Sequence, residues 1–354
     1  MSRSNRLTDR LGITHPIIQA PMAGGASTVD LAIAATRSGA LGFLAAPYLA
    51  PGQIAEAAAA IRAGTPGPFG VNLFAPTPAP GPADPAAAIA ALAPFHAELG
   101  LAPPAVPAAG GLDFAAQFAA ALETPATVLS FTFGVLAPDQ VAAAKARGMT
   151  VIGTATTVAE AVRLEAGGVD AVVAQGAEAG GHRGTFGGGF GASMIGTLAL
   201  VPQMADALGI PVIASGGIMD GRGIAAALAL GAQAVQMGTA FLTCDEAGIP
   251  ESYKKLVMST PGEGTRITRA FSGRPARGIV NRVMAEVPED AILPFPLQNA
   301  LTRPMRTAAN GLDRPEFLSL WAGQALTLAR RQPAADLIAR LVTETDAAVA
   351  GLGK

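Results

Sequence analysis

The chain has 354 residues, 50% of them apolar, a formal charge of -2 and 14% charged side chains, against ~25% in an average soluble protein. Balanced charge without a basic run or heptad pattern leaves no electrostatic case for nucleic acid as a partner. The single Cys244 excludes an internal disulfide framework and a cysteine-based metal site.

In chain order, the N-terminal MSRSNRLTDRLG is polar and lacks the apolar core of a secretory signal, so a cytoplasmic location is expected. Short apolar runs then alternate with longer Ala-rich segments. The runs are PIIQAPM (16–22), LGFLAA (41–46), FGVNLF (69–74), VLSFTFG (128–134), TVIGTAT (150–156), AVVAQG (171–176), PVIASGG (211–217) and AVQMGTAF (234–241). Continuous apolar runs are the pattern of parallel strands covered on both faces. Segments between them, such as STVDLAIAATRSG and TVAEAVRLEAGG, open on a capping Ser or Thr and close on Gly, as helices do. Eight strand–helix units predict an α/β fold, a (β/α)8 TIM barrel. A doubly wound open sheet shares the periodicity, and the count of eight favours the barrel.

The spacing breaks twice. Residues 75–127 begin with APTPAPGPADP and contain APPAVPAAGG at 102–111, which reads either as a stiff surface connection or as a lid. After Phe241 the pattern dissolves into a loop-rich region, then helices around 315–330 and 334–350. We therefore expect a barrel over 1–245 and a smaller, mostly helical C-terminal domain over 246–354, packed against it. The uncharged stretch 223–244 is long enough to cross a bilayer. Its Gln233, Gln236 and Gly231 read instead as a helix, a turn and a buried strand, so no membrane is expected.

In such barrels the active site lies at the C-terminal ends of the strands, and polar, glycine-rich sequence follows several of them here. Ser215, Gly216 and Gly217 before a helix starting near Asp220, facing Gly238 and Thr239, suit a phosphate bound by backbone N–H groups. His182 lies in AQGAEAGGHRGTF (174–186), a glycine loop where a large planar ligand can approach the backbone. An imidazole there is suited to proton transfer near neutrality. Its neighbour Arg183 reads as an anion holder or a helix-side salt bridge, and Glu178 as a solvated loop carboxylate. His15, at the start of the first strand, and His96, in a helical segment, read as structural. Cys244 reads as packing. Three scattered histidines argue against a metal site, and no G-x-S-x-G elbow supports a triad hydrolase.

QAPMAGG (19–25), GVNLF (70–74), QGAEAGGHRGTF (175–186), SGGIMDGRG (215–223), QMGTAFLTCDEA (236–247) and FPLQNALTRPMR (295–306) strongly resemble the nitronate monooxygenases, class I, over nearly the whole chain. The resemblance implies an FMN-dependent barrel that oxidises alkyl nitronates with O2 to a carbonyl compound and nitrite. Propionate 3-nitronate is the substrate it suggests, and the redox capacity belongs to the cofactor. It implies FMN phosphate on Gly217, Gly238 and Thr239, with Gln236 and Met237 on the same strand. Asn72, Gln175 and Gly180 match cofactor contacts, the backbone of Met22, Ala23 and Gly24 faces the flavin ring, and His182 matches the catalytic histidine. One departure is Phe295, where the family commonly has tyrosine. The chain is expected as a monomer or homodimer. Flavin-dependent NAD(P)H reductases of quinones or enoyl-acyl-carrier proteins carry a similar EAGGH-type loop and form the main alternative. A non-catalytic FMN-binding sensor is a further one.

Overall fold

The structure is a computed structural model describing residues 4–77, 81, 83–105 and 112–352. The two Pro-rich stretches at 75–85 and 102–111, and the lid reading with them, fall partly outside these residues. In chain order the strands are β1 (Ile17–Gln19), β2 (Gly42–Ala45), β3 (Phe69–Phe74), β4 (Val128–Thr132), β5 (Thr150–Ala155), β6 (Ala171–Gln175), β7 (Gly181–His182), β8 (Val212–Ser215), β9 (Ala234–Met237), β10 (Thr265–Thr268) and β11 (Ala276–Ile279).

An 8-stranded sheet runs β1-β9-β8-β6-β5-β4-β3-β2, and its ladders are parallel. Its two ends meet through Leu41, whose N–H donates to the Ile17 carbonyl at 3.0 Å while Gln19 N–H donates to the Leu41 carbonyl at 2.9 Å. The sheet is therefore a closed TIM barrel, and the open-sheet alternative falls away. Closure removes both edges, so each strand finds partners on both sides.

Alternation along each strand divides the core. Ile18, Phe43, Val128, Ile152, Val173, Ile213 and Ala234 form an inner cluster with Leu7 and Leu11 of the helix Arg6–Leu11. That helix plugs the end where strands begin: Asn5 Nδ2 donates to the Gln233 carbonyl and Arg6 to the Gly209 carbonyl. Neighbours in sequence, among them Ile17, Val71, Leu129, Val151, Val172 and Val235, face the outer helices. Those helices start as their sequences predict: Thr28 accepts from Leu31 N–H and Thr157 from Glu160 N–H, each cap contributing about 1 kcal/mol.

Several expectations are corrected. The last barrel strand was expected to reach residue 241 but stops at Met237, and the chain turns into a short helix, Thr239–Leu242. The cause is its partner, since β1 ends at Gln19 opposite Met237 and offers no ladder beyond it. The apolar stretch 223–244 is divided among the helix Gly221–Ala229, β9 and that short helix. Among the described residues no helix is long and apolar enough to cross a membrane. The helix expected over 315–330 is only two 3-10 turns, Pro315–Phe317 and Leu326–Leu328. Between them Gly278 bridges Trp321 and Gly323 N–H donates to Thr239, so tertiary contacts replace helical ones.

The tail contributes two strands as well as helices. β10 and β11 pair antiparallel, and β11 pairs with β7 of the barrel loop. A second core joins Phe271, Val283, Leu301, Met305 and Phe317 of the tail to Leu92 and Phe95 of the helix Ala86–Glu98. The final helix, Ala334–Leu352, returns to the barrel, where Leu337, Ile338 and Leu341 join Ile224 and Ala227.

Candidate active site

A cavity of about 700 Å³ opens at the C-terminal ends of the strands, within the range of ~300–1,000 Å³ usual for small-ligand sites. Its wall includes Met22, Ala23, Gly24, Asn72, Gln175, Gly180, His182, Gly217, Gln236, Met237, Gly238 and Thr239. The barrel thus brings every one of the sequence-derived site residues to a single space.

Much of that wall is bare backbone. Gly216 and Gly217 turn at φ +117° and +70° after β8, conformations that glycine adopts without steric penalty. Asp220 then caps the helix Gly221–Ala229, accepting from the N–H groups of Arg222 and Gly223. Opposite, Thr239 Oγ1 accepts from Gly323 N–H at 3.0 Å, which leaves its hydroxyl proton to donate. Asn72 Nδ2 donates to Ser130 Oγ at 2.8 Å, leaving its carbonyl oxygen to accept. The loop after β1 is held by Ser27, whose Oγ accepts from Met22 N–H at 2.9 Å and from Gln19 Nε2 at 2.9 Å.

His182 is not on a bare loop. It lies in the two-residue strand β7, opposite Ala276 of β11, because the glycines around it leave its backbone amide groups open to a partner strand. Gln175 commits both ends of its amide to this segment: Nε2 donates to the His182 carbonyl at 2.9 Å and Oε1 accepts from Gly184 N–H at 2.8 Å. Its observed bonds hold the loop.

The neighbouring charges also depart from expectation. Arg183 is fully buried, at 0% exposure, and donates to the carbonyls of Gln175, Gly176 and Ser193. These bonds pin the backbone around the loop. Glu178 accepts from the N–H and hydroxyl of Thr197, so it caps the start of the helix Thr197–Ala207 instead of standing in solvent. Glu160, also buried, accepts from Thr156, Thr185, Phe186 and Gly187. Burial opposes its charge, but these bonds hold its pKa below the ordinary carboxylate value.

Aromatic rings enclose the His182 imidazole. Trp321 lies at 5.6 Å, Phe133 at 5.7 Å, Phe295 at 6.3 Å and Phe74 at 6.4 Å between ring centroids. The Arg274 guanidinium sits 3.9 Å from the Phe133 centroid, and Phe133 itself has φ +83°, a strained backbone for a bulky residue. On its Nε2 side His182 meets Ser272 Oγ at 2.8 Å. Burial first, then the positive charges of Arg274 and Arg306, push its pKa down to about 3, so the ring is neutral at physiological pH. Burial raises the pKa of Tyr48, another cavity residue, so its phenol stays protonated.

The structural readings of the other candidates fit their surroundings. His96 is buried with Nδ1 2.8 Å from the Ala102 carbonyl, and His15 lies beside Gly39 near the start of the barrel. Cys244 is buried and its thiol is pushed up to about 12, chiefly by burial, unlike a reactive thiolate. Sequence reasoning missed Tyr48, Phe133, Ser272, Arg274, Arg306 and Trp321. The signals open to it were the glycine turn in FSGRPARG and the single tryptophan.

A family model described as nitronate monooxygenase matches residues 4–344. A probable nitronate monooxygenase of Staphylococcus aureus (strain Newman) is 40% identical over 348 residues, covering 97% of this chain and 98% of its own. One from Staphylococcus haemolyticus is 40% identical over 346 residues, covering 96% and 97%. Among solved structures, the nitroalkane oxidase from Streptomyces ansochromogenes superposes with a TM-score of 0.91 at 41% identity, covering 98% of this chain and 100% of that one. FabK from Thermotoga maritima gives 0.78 at 28% identity, covering 99% and 98%. With the family model matched over residues 4–344 and relatives 40% identical over nearly the full length, the chain belongs to the nitronate monooxygenase family and is an oxidoreductase.

Proposed function

We propose that the protein is an FMN-dependent nitronate monooxygenase that oxidises alkyl nitronates, propionate 3-nitronate among them, with O2 to a carbonyl compound and nitrite, acting in the cytoplasm. The observation that carries this reading is a neutral histidine, boxed by aromatic rings, at the rim of a glycine-walled cavity.

The cavity suits FMN on its own chemistry. A Cβ added at Gly24 would meet no atom within 4 Å, so space lies open where the flat ring would rest. Gly217, Gly238 and the free hydroxyl proton of Thr239 would hold the phosphate, and the amides of Asn72 and Gln236 offer polar contacts to the ring system. When bound, FMN supplies the electron transfer and oxygen chemistry that no side chain provides.

The chain's own residues then bind, orient and move protons. The guanidinium groups of Arg274 and Arg306, which disfavour an imidazolium, favour an anionic nitronate beside it. The neutral His182 takes the α-proton of a nitroalkane, and the surrounding rings exclude water from the charge that develops.

The test is to purify the yellow protein and mix it anaerobically with propionate 3-nitronate or with NADH, following flavin absorbance. Rapid bleaching by the nitronate and none by NADH is the expected result. Bleaching by NADH alone would move the protein to the reductases, a reading that the FabK likeness keeps in view. A protein that takes up no FMN would overturn both.

A further inference from the structure

We infer that Ser272 is a positioning residue that fixes the tautomer of His182, leaving Nδ1 as the proton-accepting atom of the site. This rests on the reading of His182 as the base and names the atom and the device behind it.

Hydrogen-bond satisfaction around the serine decides the tautomer. Ser272 Oγ has three neighbours: His182 Nε2 at 2.8 Å, the Arg274 carbonyl at 3.1 Å and the Arg274 N–H at 3.2 Å. A serine hydroxyl has one proton to donate and two lone pairs to accept. The Arg274 N–H can only donate and the Arg274 carbonyl can only accept. If the hydroxyl proton goes to that carbonyl, both lone pairs are taken by donors, and one donor must be His182 Nε2–H. The reverse assignment sets the carbonyl against a serine lone pair at 3.1 Å, two acceptors face to face. The neutral ring is therefore protonated on Nε2 and bare on Nδ1, which has no hydrogen-bond partner among the described residues.

The serine is in no position to serve substrate directly. It is 2% exposed and lies behind the histidine, outside the cavity wall. Its turn is rigid. Gly273 sits at φ +81°, and a Cβ there would meet the Leu293 carbonyl oxygen at 2.3 Å. The Arg274 side chain ties the turn to the histidine strand through the carbonyls of Arg183 and Thr185 while lying over Phe133.

In the proton transfer, the α-C–H bond of a nitroalkane breaks and its electron pair stays on the substrate as the nitronate. The proton moves to Nδ1, and Nε2–H keeps its bond to Ser272. A preformed nitronate needs no such transfer.

The test uses the full-length holoprotein labelled with ¹⁵N-histidine. The chain has 3 histidines, so loss of one ring's signals in His182→Asn assigns the spectrum. Expected at neutral pH is a single tautomer with Nε2 protonated and Nδ1 bare; a proton on Nδ1 would overturn the inference. Ser272→Ala should give mixed tautomers and lower kcat/KM for nitroethane on the order of 10–100-fold, the scale of a lost orienting partner. Oxidation of ethyl nitronate should change no more than about threefold, because the step lost is a general-base one. Ser272→Cys, which keeps a weak donor and acceptor, should recover part of both signals, and equal loss on both substrates in the two variants would count against the role. Should His182→Asn keep full activity on nitroethane, the base reading itself fails, while the wild-type spectrum still reports the tautomer.

Discussion

At the scale of single residues, His182 shows how an ordinary side chain acquires a special state. Its pKa lies near 3 in the fold and near 6.5 in an unfolded chain. The unfolded chain therefore takes up the proton first as pH falls. Stability linked to this group is fully present above pH ~6.5 and erodes as pH drops toward 3. Thermal melts at pH 7 and pH 5 should show a larger loss for the wild type than for His182→Asn, which has nothing to protonate; equal losses would contradict a depressed pKa. The histidine itself was legible from its place after the sixth strand. Ser272, 90 residues away in sequence, was not, because no local pattern states which turn of the tail will reach it.

At the scale of elements, the site depends on backbone meeting backbone. The loop at 322–323 presses on the residues after β6: a Cβ at Gly180 would lie 2.6 Å from Gly323 N, and one at Gly323 would lie 2.7 Å from the Glu178 carbonyl oxygen. Neither neighbour can swing away as a side chain would. Gly323→Ala should therefore cost ~1–3 kcal/mol, the scale of overpacking, and shift Thr239, whose oxygen the Gly323 N–H engages. Denaturant melts measure the first effect and FMN titration the second. A stability unchanged within error would mean that the loop can move apart. The glycine motif at 175–186 was readable in the sequence as a segment on the cavity face. Its pairing as β7 with β11 was not, since a two-residue strand carries no periodicity.

At the scale of the whole molecule, the chain closes on itself more than its order suggests. The last helix is part of the barrel's outer layer, with Leu341 at 0% exposure among barrel residues. Leu341→Ala should destabilise the protein by ~2–5 kcal/mol, as for other buried leucines, seen as a lower denaturation midpoint. A shift below about 0.5 kcal/mol, the range of ordinary surface substitutions, would mean that this helix is only loosely seated. The tail between the barrel and this helix supplies Ser272, Phe295 and Trp321 to the histidine, so barrel and tail share the candidate site.

The eight barrel strands and the end of the barrel that holds the cavity were determined by sequence alone. Continuous apolar runs with capped helices between them are local patterns, and parallel strands buried on both faces require them. Tertiary structure decided where β9 stops, how residues 315–330 are arranged, which charges pin backbone and which side chains surround His182. Each of these turns on a partner distant in the chain: a neighbouring strand that ends, a carbonyl that needs a donor, a ring that fills a space. Such partners are chosen by packing the whole fold at once, and local periodicity carries no record of that choice.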